Sequence, residues 1–141
     1  MRVGPGDSFL VLAAAGALAA SRVLLRWAPG WTVRLAAAPG RPDMSRRPSA
    51  AGSTSGLVRA VERAGRRCPW RTTCLERAVA LVLLLVIHRR AGRLAIGVAR
   101  SGGALRAHAW VEADGSVILG GGAAAADVAS LWPLTAPCNV D

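Results

Sequence analysis

A run of ten apolar residues, 78–87 (AVALVLLLVI), places the strongest constraint on how this chain can fold. A helix built from this run has no polar face to turn toward water, so it must be buried on nearly all sides. Thr72 and Thr73 stand just before the run, and either side chain is a suitable helix N-cap. The sequence therefore predicts a central buried helix over residues 74–90, with Gly92 as its C-cap.

The hydrophobic periodicity changes after this helix. Residues 94–99, 106–113 and 116–119 are predicted to form strands. Asp114 and Gly115 separate the second strand from the third, and an Asp-Gly pair between apolar strands is typical of a two-residue hairpin turn. The predicted fold class is α+β, with the central helix packed on a small antiparallel sheet.

Composition divides the 141-residue chain into three parts. Residues 1–27 are predicted to be a helical segment, with the helix itself over 8–27. Residues 28–55 are rich in Pro, Gly, Ser and Arg, which predicts a linker without regular structure. Residues 56–141 are predicted to be the main domain, with a short helix at 56–65, the central helix, the sheet and a final short helix at 124–131.

The N-terminal run SFLVLAAAGALAA has more than one interpretation. Its small residues resemble the end of a signal peptide, but only Arg2 precedes it and Asp7 stands at its start. It is also shorter than the roughly 20 apolar residues of a membrane span. We expect a helix that packs on the domain or lies against a membrane surface. Because three cysteines without a paired motif indicate a reducing compartment, we expect a cytoplasmic protein.

The net charge is +10, and all 18 basic residues are Arg. Such a charge suits nucleic acid, an anionic membrane or an acidic partner. Aromatic residues make up only 4% of the chain, and no basic stripe is interleaved with stacking rings. The composition therefore favours a generally basic surface over nucleic-acid binding.

Cys74 is either a packed core residue or a nucleophile. At the start of a helix, free N–H groups and the helix dipole stabilise a thiolate, which favours the nucleophile. His108, in the second strand, is the partner type that Cys–His acyl transfer needs. Trp110 and Glu112 lie on the same face of that strand. Trp110 is predicted either to border a substrate cleft or to be a core residue, and Glu112 to be solvated or paired with an Arg.

A metal site is not expected. Cys68, Cys74, His88 and His108 carry side chains of the type that ligate zinc, but the spacing of the two cysteines is not that of a zinc knuckle. His88 also lies about 21 Å along the helix from Cys74 at the standard rise per residue. The sequence predicts no other cofactor.

The run CPWRTTCLERAVALVLLLVIHRRAGRLAIGVAR, followed by AHAWVEADGSVIL, resembles the transglutaminase-like cysteine peptidases of lasso-peptide biosynthesis. The similarity covers about residues 57–134. It implies a papain-like core, with Cys74 as the nucleophile and His108 as the general base. It also implies removal of the leader from a ribosomally made precursor peptide through a thioester intermediate.

The same resemblance implies partners. No segment resembles the leader-binding domain that is fused to this enzyme in some systems, so the family pattern implies a separate leader-binding protein. An ATP-dependent macrolactam cyclase and the precursor peptide are the other implied partners. The alternatives are a catalytically weakened scaffold of the maturation complex and a small membrane-associated basic protein.

The sequence departs from the family at the third catalytic group. The acidic residue often found twelve positions beyond the histidine is replaced here by Gly120. Counting back from the hairpin turn places His108 opposite Gly121, so a carboxylate at 120–122 would orient the imidazole, and all three positions are glycine. Asp127 is the best remaining carboxylate, and a backbone carbonyl or a water is the alternative.

Overall fold

A computed structural model of the chain describes residues 5–37, 53–101 and 104–121. These residues form four helices, α1 (Pro5–Trp27), α2 (Pro29–Ala37), α3 (Thr54–Arg67) and α4 (Cys74–Ile87), followed by three strands, β1 (Arg93–Ser101), β2 (Ala104–Ala113) and β3 (Ser116–Leu119). The strands form one antiparallel sheet in the order β1-β2-β3. The predicted α+β architecture is confirmed.

Helix α4 lies at the centre of the hydrophobic core. Its side chains pack with α1, α3 and the inner face of the sheet, and the core includes Ala14, Leu18, Leu57, Val61, Leu81, Leu85, Leu94 and Val111. The prediction of a buried central helix is confirmed along most of its length. It is wrong for the last turn, where Val86 and Ile87 are exposed.

The end of α4 also differs from the prediction. The helix ends at Ile87 with His88 as its C-cap, and Arg89 takes the left-handed backbone conformation, with φ of 56°. Gly92 is therefore not the cap. A Cβ at Gly92 would overlap the Leu85 side chain, so this glycine permits the close approach of the chain to α4 as β1 begins.

Helix α2 corrects the prediction that residues 28–55 lack regular structure. Pro29 is the first residue of α2, a position where its fixed φ suits a helix and its missing N–H costs nothing. Thr32 is buried, and its hydroxyl donates a hydrogen bond to the carbonyl oxygen of Ala28, the residue between α1 and α2. Ala36 joins the same core as α4. The rest of the predicted linker, from residue 38 to residue 52, lies outside the described residues.

Helix α1 is anchored to the domain along one face, on which Ala14, Leu18 and Ser21 are buried. Among the described helices, only α1 is long and apolar enough to cross a membrane, over Ser8–Trp27, and 17% of that stretch is buried. Core helices of soluble proteins and signal sequences share this length and composition, so these properties alone do not assign α1 to a membrane.

The predicted hairpin is confirmed at its turn. Asp114 and Gly115 both have positive φ, 51° and 75°, which is the geometry of the favoured two-residue turn. The register counted back from that turn is wrong beyond the second pair. Glu112 pairs with Val117, but Val111 pairs with Leu119, so Ile118 is an extra residue and the ladder shifts by one.

Candidate active site

Cys74 is the first residue of α4, and the residues around it form a capping box. The Thr73 hydroxyl accepts a hydrogen bond from the Glu76 N–H, and the Glu76 carboxylate accepts one from the Thr73 N–H. The hydrogen bonds of the described residues give no partner to the N–H of Cys74. Cys74 is exposed, so its thiol lies within reach of a substrate and close to its own unbonded N–H at the helix start.

The segment that carries Cys74 is fixed to α1 through Glu76. The Glu76 carboxylate is buried and forms an ion pair with Arg22, with Nη1 and Oε1 3.3 Å apart. The Ser21 hydroxyl donates to the carbonyl oxygens of both Leu18 and Glu76. Arg22 also lies over the Trp70 ring, 5.5 Å from its centroid. Sequence reasoning missed this network, although the Thr73-x-x-Glu76 spacing is itself a capping-box signature.

His108 lies on the central strand and is partly buried. Its Nε2 is 2.8 Å from the carbonyl oxygen of Gly120. A carbonyl oxygen only accepts, so Nε2 carries the proton of the neutral ring and Nδ1 holds the basic lone pair. The backbone carbonyl that was one of the sequence-based alternatives is therefore present as a partner of His108.

Gly120 provides this carbonyl because it has no side chain. Its φ is +81°, in the left-handed region that favours glycine. A Cβ there would lie 2.9 Å from the carbonyl oxygen of Ala109 and 3.0 Å from the Trp110 Cβ. In this backbone conformation a carboxylate side chain at position 120 is excluded, and the main chain occupies the place next to the imidazole.

Trp110 and Glu112 share the face of β2 that carries His108, as predicted. The rings of His108 and Trp110 stack with centroids 6.4 Å apart, and Trp110 is only 7% exposed. The indole Nε1–H donates to Glu112, which also forms a close ion pair with Arg93. The expected pairing of Glu112 with an Arg is confirmed. The hydrogen bond from Trp110 has the largest effect on the pKa of the Glu112 carboxyl and lowers it. Partial burial raises this pKa, while the hydrogen bond and the positive charge of Arg93 lower it further. The net result is a pKa below the ordinary value.

The structure does not bring every predicted site residue together. Ala109 and Val111 belong to the core beneath the helices, so the alternation of β2 places His108 on the opposite face. Within residues 5–37, 53–101 and 104–121, no hydrogen bond joins the Cys74 thiol to His108. Asp127 and the predicted helix at 124–131 lie outside the described residues. In the described part of the chain, no three His, Cys, Asp or Glu side chains are grouped to hold a metal ion.

Comparison with known proteins gives the family. A family model described as the transglutaminase-like superfamily matches residues 15–134, which is most of the chain and includes both Cys74 and His108. No curated protein and no solved structure matches the chain. The matched range begins within α1 and includes all of α2, α3, α4 and the three strands. The chain therefore belongs to the transglutaminase-like superfamily, a group that includes cysteine peptidases.

Proposed function

We propose that this protein is a cysteine peptidase that removes the leader from a ribosomally made precursor during lasso-peptide maturation. The observation that carries the proposal is the position of Cys74, an exposed thiol at the first residue of a capped core helix in a transglutaminase-like chain. That position combines access for a substrate with the electrostatic support that a thiolate needs.

The proposed reaction has two steps. The Cys74 thiolate attacks the scissile carbonyl carbon and forms a C–S bond, and the C–N bond breaks as the imidazolium of His108 protonates the leaving amine. Water, deprotonated by His108, then hydrolyses the thioester and restores the thiol. The N–H of Cys74 is a suitable donor to the oxyanion of each tetrahedral intermediate.

This chemistry requires the basic Nδ1 of His108 to reach the Cys74 thiol. The hydrogen bond to Gly120 supports that role, because it holds the ring by Nε2 and leaves Nδ1 available. Catalytic contacts are often long or absent without substrate and tighten when it binds. In the described residues the imidazole lies on the face of β2 opposite the helices, so the proposal requires precursor binding to bring His108 and the Cys74 thiol within reach of each other.

The partners follow from the same proposal. The chain would act with a separate leader-binding protein and pass the shortened precursor to an ATP-dependent macrolactam cyclase, all in the cytoplasm. The net charge of +10 supports binding of an acidic leader or an acidic partner surface.

The test is cleavage of the precursor by the purified chain together with the leader-binding protein, followed by mass spectrometry. We expect Cys74→Ala and His108→Ala to abolish cleavage, while Cys68→Ala, which changes a partly buried cysteine, retains it. If Cys74→Ala cleaves as fast as the parent chain, the proposal is wrong.

One observation favours a second candidate, a catalytically weakened scaffold of the maturation complex. In the described residues His108 bonds to a backbone carbonyl and not to a carboxylate, and it has no hydrogen bond to Cys74. Loss of the orienting carboxylate costs about four orders of magnitude in a serine protease. A scaffold would support maturation equally well with Cys74→Ala, whereas the peptidase would not.

A further inference from the structure

The outer face of α1 carries an apolar stripe that no described residue covers. Its exposed positions recur every three or four residues, so they align along one side of the helix. The large side chains of this stripe are Phe9, Leu12, Val23 and Trp27, separated by Gly16 and Ala20. The stripe runs about 27 Å at the helical rise per residue and includes no charged residue.

Helix α2 extends this apolar surface. Trp31 and Leu35 are four residues apart and exposed, while Thr32 and Ala36, one residue further along, are buried. Trp27 is 83% exposed and Trp31 70%, so two indole rings stand in solvent near the junction of the two helices. An open apolar groove of about 440 Å³ begins at this junction. Its lining includes Leu24, Trp31, Leu35 and the exposed Val86 of α4. We call this continuous area the α1–α2 surface.

The charged residues from position 8 to the end of α2 are all basic, although Asp7 of α1 precedes the stripe and Arg22 is paired with Glu76. Residues 8–37 contain Arg22, Arg26 and Arg34 and no acidic residue. Arg26 and Arg34 are exposed, one near the end of each helix. An apolar helical face with indole rings and flanking arginines is the pattern of a helix that lies in the interface of an anionic bilayer.

The packing of α1 indicates how it would lie. The side of α1 opposite the stripe is buried against α3 and α4, and the Ser21 hydroxyl and the Arg22 guanidinium bond to Glu76. A helix surrounded by lipid across the whole bilayer would lose these contacts. Removal of α1 as a signal peptide would take Ala14 and Leu18 out of the core. Both observations favour an α1 that stays on the domain and exposes only its outer face.

We propose that the α1–α2 surface is a membrane-docking surface that places α1 flat in the headgroup region of a membrane rich in anionic phospholipid. The apolar stripe, with Trp27 and Trp31, enters the bilayer boundary, and Arg26 and Arg34 contact the lipid phosphates. This surface is independent of the peptidase proposal, since it uses neither Cys74 nor His108.

Vesicle flotation tests the proposal on the full chain. We expect binding to vesicles of phosphatidylcholine with about 30% phosphatidylglycerol, and much weaker binding to pure phosphatidylcholine. The double variant Trp27→Ser/Trp31→Ser should lower the partition coefficient by about tenfold or more, because it removes the largest apolar side chains of the surface. Val117→Ala, which changes an exposed apolar side chain on β3, is the matched control and should bind like the parent chain.

Charge reversal tests the arginines separately. Arg26→Glu/Arg34→Glu should weaken binding to the anionic vesicles by about tenfold or more. Arg66→Glu/Arg67→Glu makes the same change in net charge at exposed positions on α3 and should retain most of the binding. Equal losses in the two charge-reversed variants would mean that net charge alone drives binding and would overturn the proposed surface.

Three further outcomes would overturn the proposal. The first is that the chain does not float with anionic vesicles. Self-association of the chain through the two tryptophans, without flotation, would count as the same outcome. The second is an N-terminus that is cleaved within α1 in cells, as mass spectrometry of the isolated protein would show. The third is retention in membranes after alkaline carbonate extraction, which indicates a spanning helix. An intact N-terminus and release by carbonate are the expected results.

Discussion

The imidazole of His108 donates from Nε2 to the carbonyl oxygen of Gly120 across 2.8 Å. In a catalytic triad the third group holds the histidine in one tautomer and stabilises its charged form. A neutral carbonyl can fix the tautomer but provides only a dipole, and no full negative charge, to the imidazolium. If His108 is the general base, as we propose, this partner orients the ring but stabilises its charged form less than a carboxylate would.

Replacing Gly120 with Asp should not restore a conventional triad. The positive φ and the contacts that a Cβ would make with Ala109 and Trp110 leave no room for the side chain unless the backbone moves. We expect Gly120→Asp to lower the free energy of unfolding by about 1–3 kcal/mol and to leave peptidase activity unchanged or reduced. Urea unfolding and the precursor cleavage assay measure the two effects.

Gly16→Ala is the matched control for this glycine substitution. Gly16 is an exposed residue within α1, and a Cβ there meets no atom within 4 Å. Because alanine favours a helix over glycine, Gly16→Ala should raise the free energy of unfolding by about 0.5–1 kcal/mol. An increase in peptidase activity in Gly120→Asp would show that a carboxylate fits beside His108 after all.

The thiols of Cys74 and Cys68 should differ in reactivity. Cys74 is exposed beside the free N–H groups of α4, whereas Cys68 is partly buried against the hydrophobic core. We expect iodoacetamide to modify Cys74 at least about tenfold faster than Cys68 in the native chain at neutral pH. Peptide mass spectrometry separates the two sites.

Unfolding provides the internal control for this comparison. In concentrated urea both thiols are free and their rates should converge, which shows that the native difference comes from the fold. Similar rates in the native chain would mean that the start of α4 does not expose or activate Cys74, and the peptidase proposal would lose its main support.

Glu76 should contribute more to the free energy of unfolding than an exposed glutamate in the first turn of a helix would. Its buried carboxylate accepts from the Thr73 N–H and pairs with Arg22. We expect Glu76→Ala to lower the free energy of unfolding by about 1–3 kcal/mol, because it removes half of the capping box and leaves polar groups without partners. Arg22→Ala should cost about 1 kcal/mol or less, since its side chain is 47% exposed and the ion pair is screened by solvent.

Glu62→Ala, at a partly exposed position on α3, is the control for Glu76→Ala and should change the free energy of unfolding by about 0.5 kcal/mol or less. The double variant Arg22→Ala/Glu76→Ala tests whether the two side chains act together. Full additivity of the two single effects would show that the ion pair between α1 and α4 contributes nothing measurable.

The parts of the fold that local sequence determines were predictable. The start of α4, its buried residues except in the last turn, and the Asp114-Gly115 turn each depend on neighbours in sequence and are present as predicted, with Thr73 as the cap of the two threonines that were considered. Helix α2 was missed because proline and glycine were interpreted as breaking structure. In the structure they stand at its first two positions, where both are tolerated.

The long-range features of the site were not predictable from the sequence. The extra residue Ile118 changes which residues of β2 and β3 face each other, and no composition signal marks such a bulge. The ion pair of Arg22 with Glu76 joins residues 54 positions apart, so only the packing of α1 on α4 brings them together. The carbonyl partner of His108 was one of the sequence-based alternatives, but residue types alone did not separate it from Asp127 or a water.

The cluster of Glu112, Trp110 and Arg93 should make stability depend on acid pH. The hydrogen bond from Trp110 and the pairing with Arg93 hold the pKa of the Glu112 carboxyl below its ordinary value of 4.5. A carboxyl whose pKa is lower in the folded state stabilises the fold above the unfolded pKa, and this contribution is lost as the pH falls through the folded pKa. We therefore expect part of the acid sensitivity below about pH 4.5 to come from Glu112.

Urea unfolding of Glu112→Gln at neutral and acid pH measures this contribution. At pH 7 the variant should be less stable than the parent chain by about 1 kcal/mol or less, because the ion pair is partly exposed. As the pH falls below about 4, the difference should shrink, since the parent carboxyl becomes protonated as well. Glu62→Gln should show no such convergence, and a Glu112→Gln difference that stayed constant with pH would mean that the charge of Glu112 does not stabilise the fold.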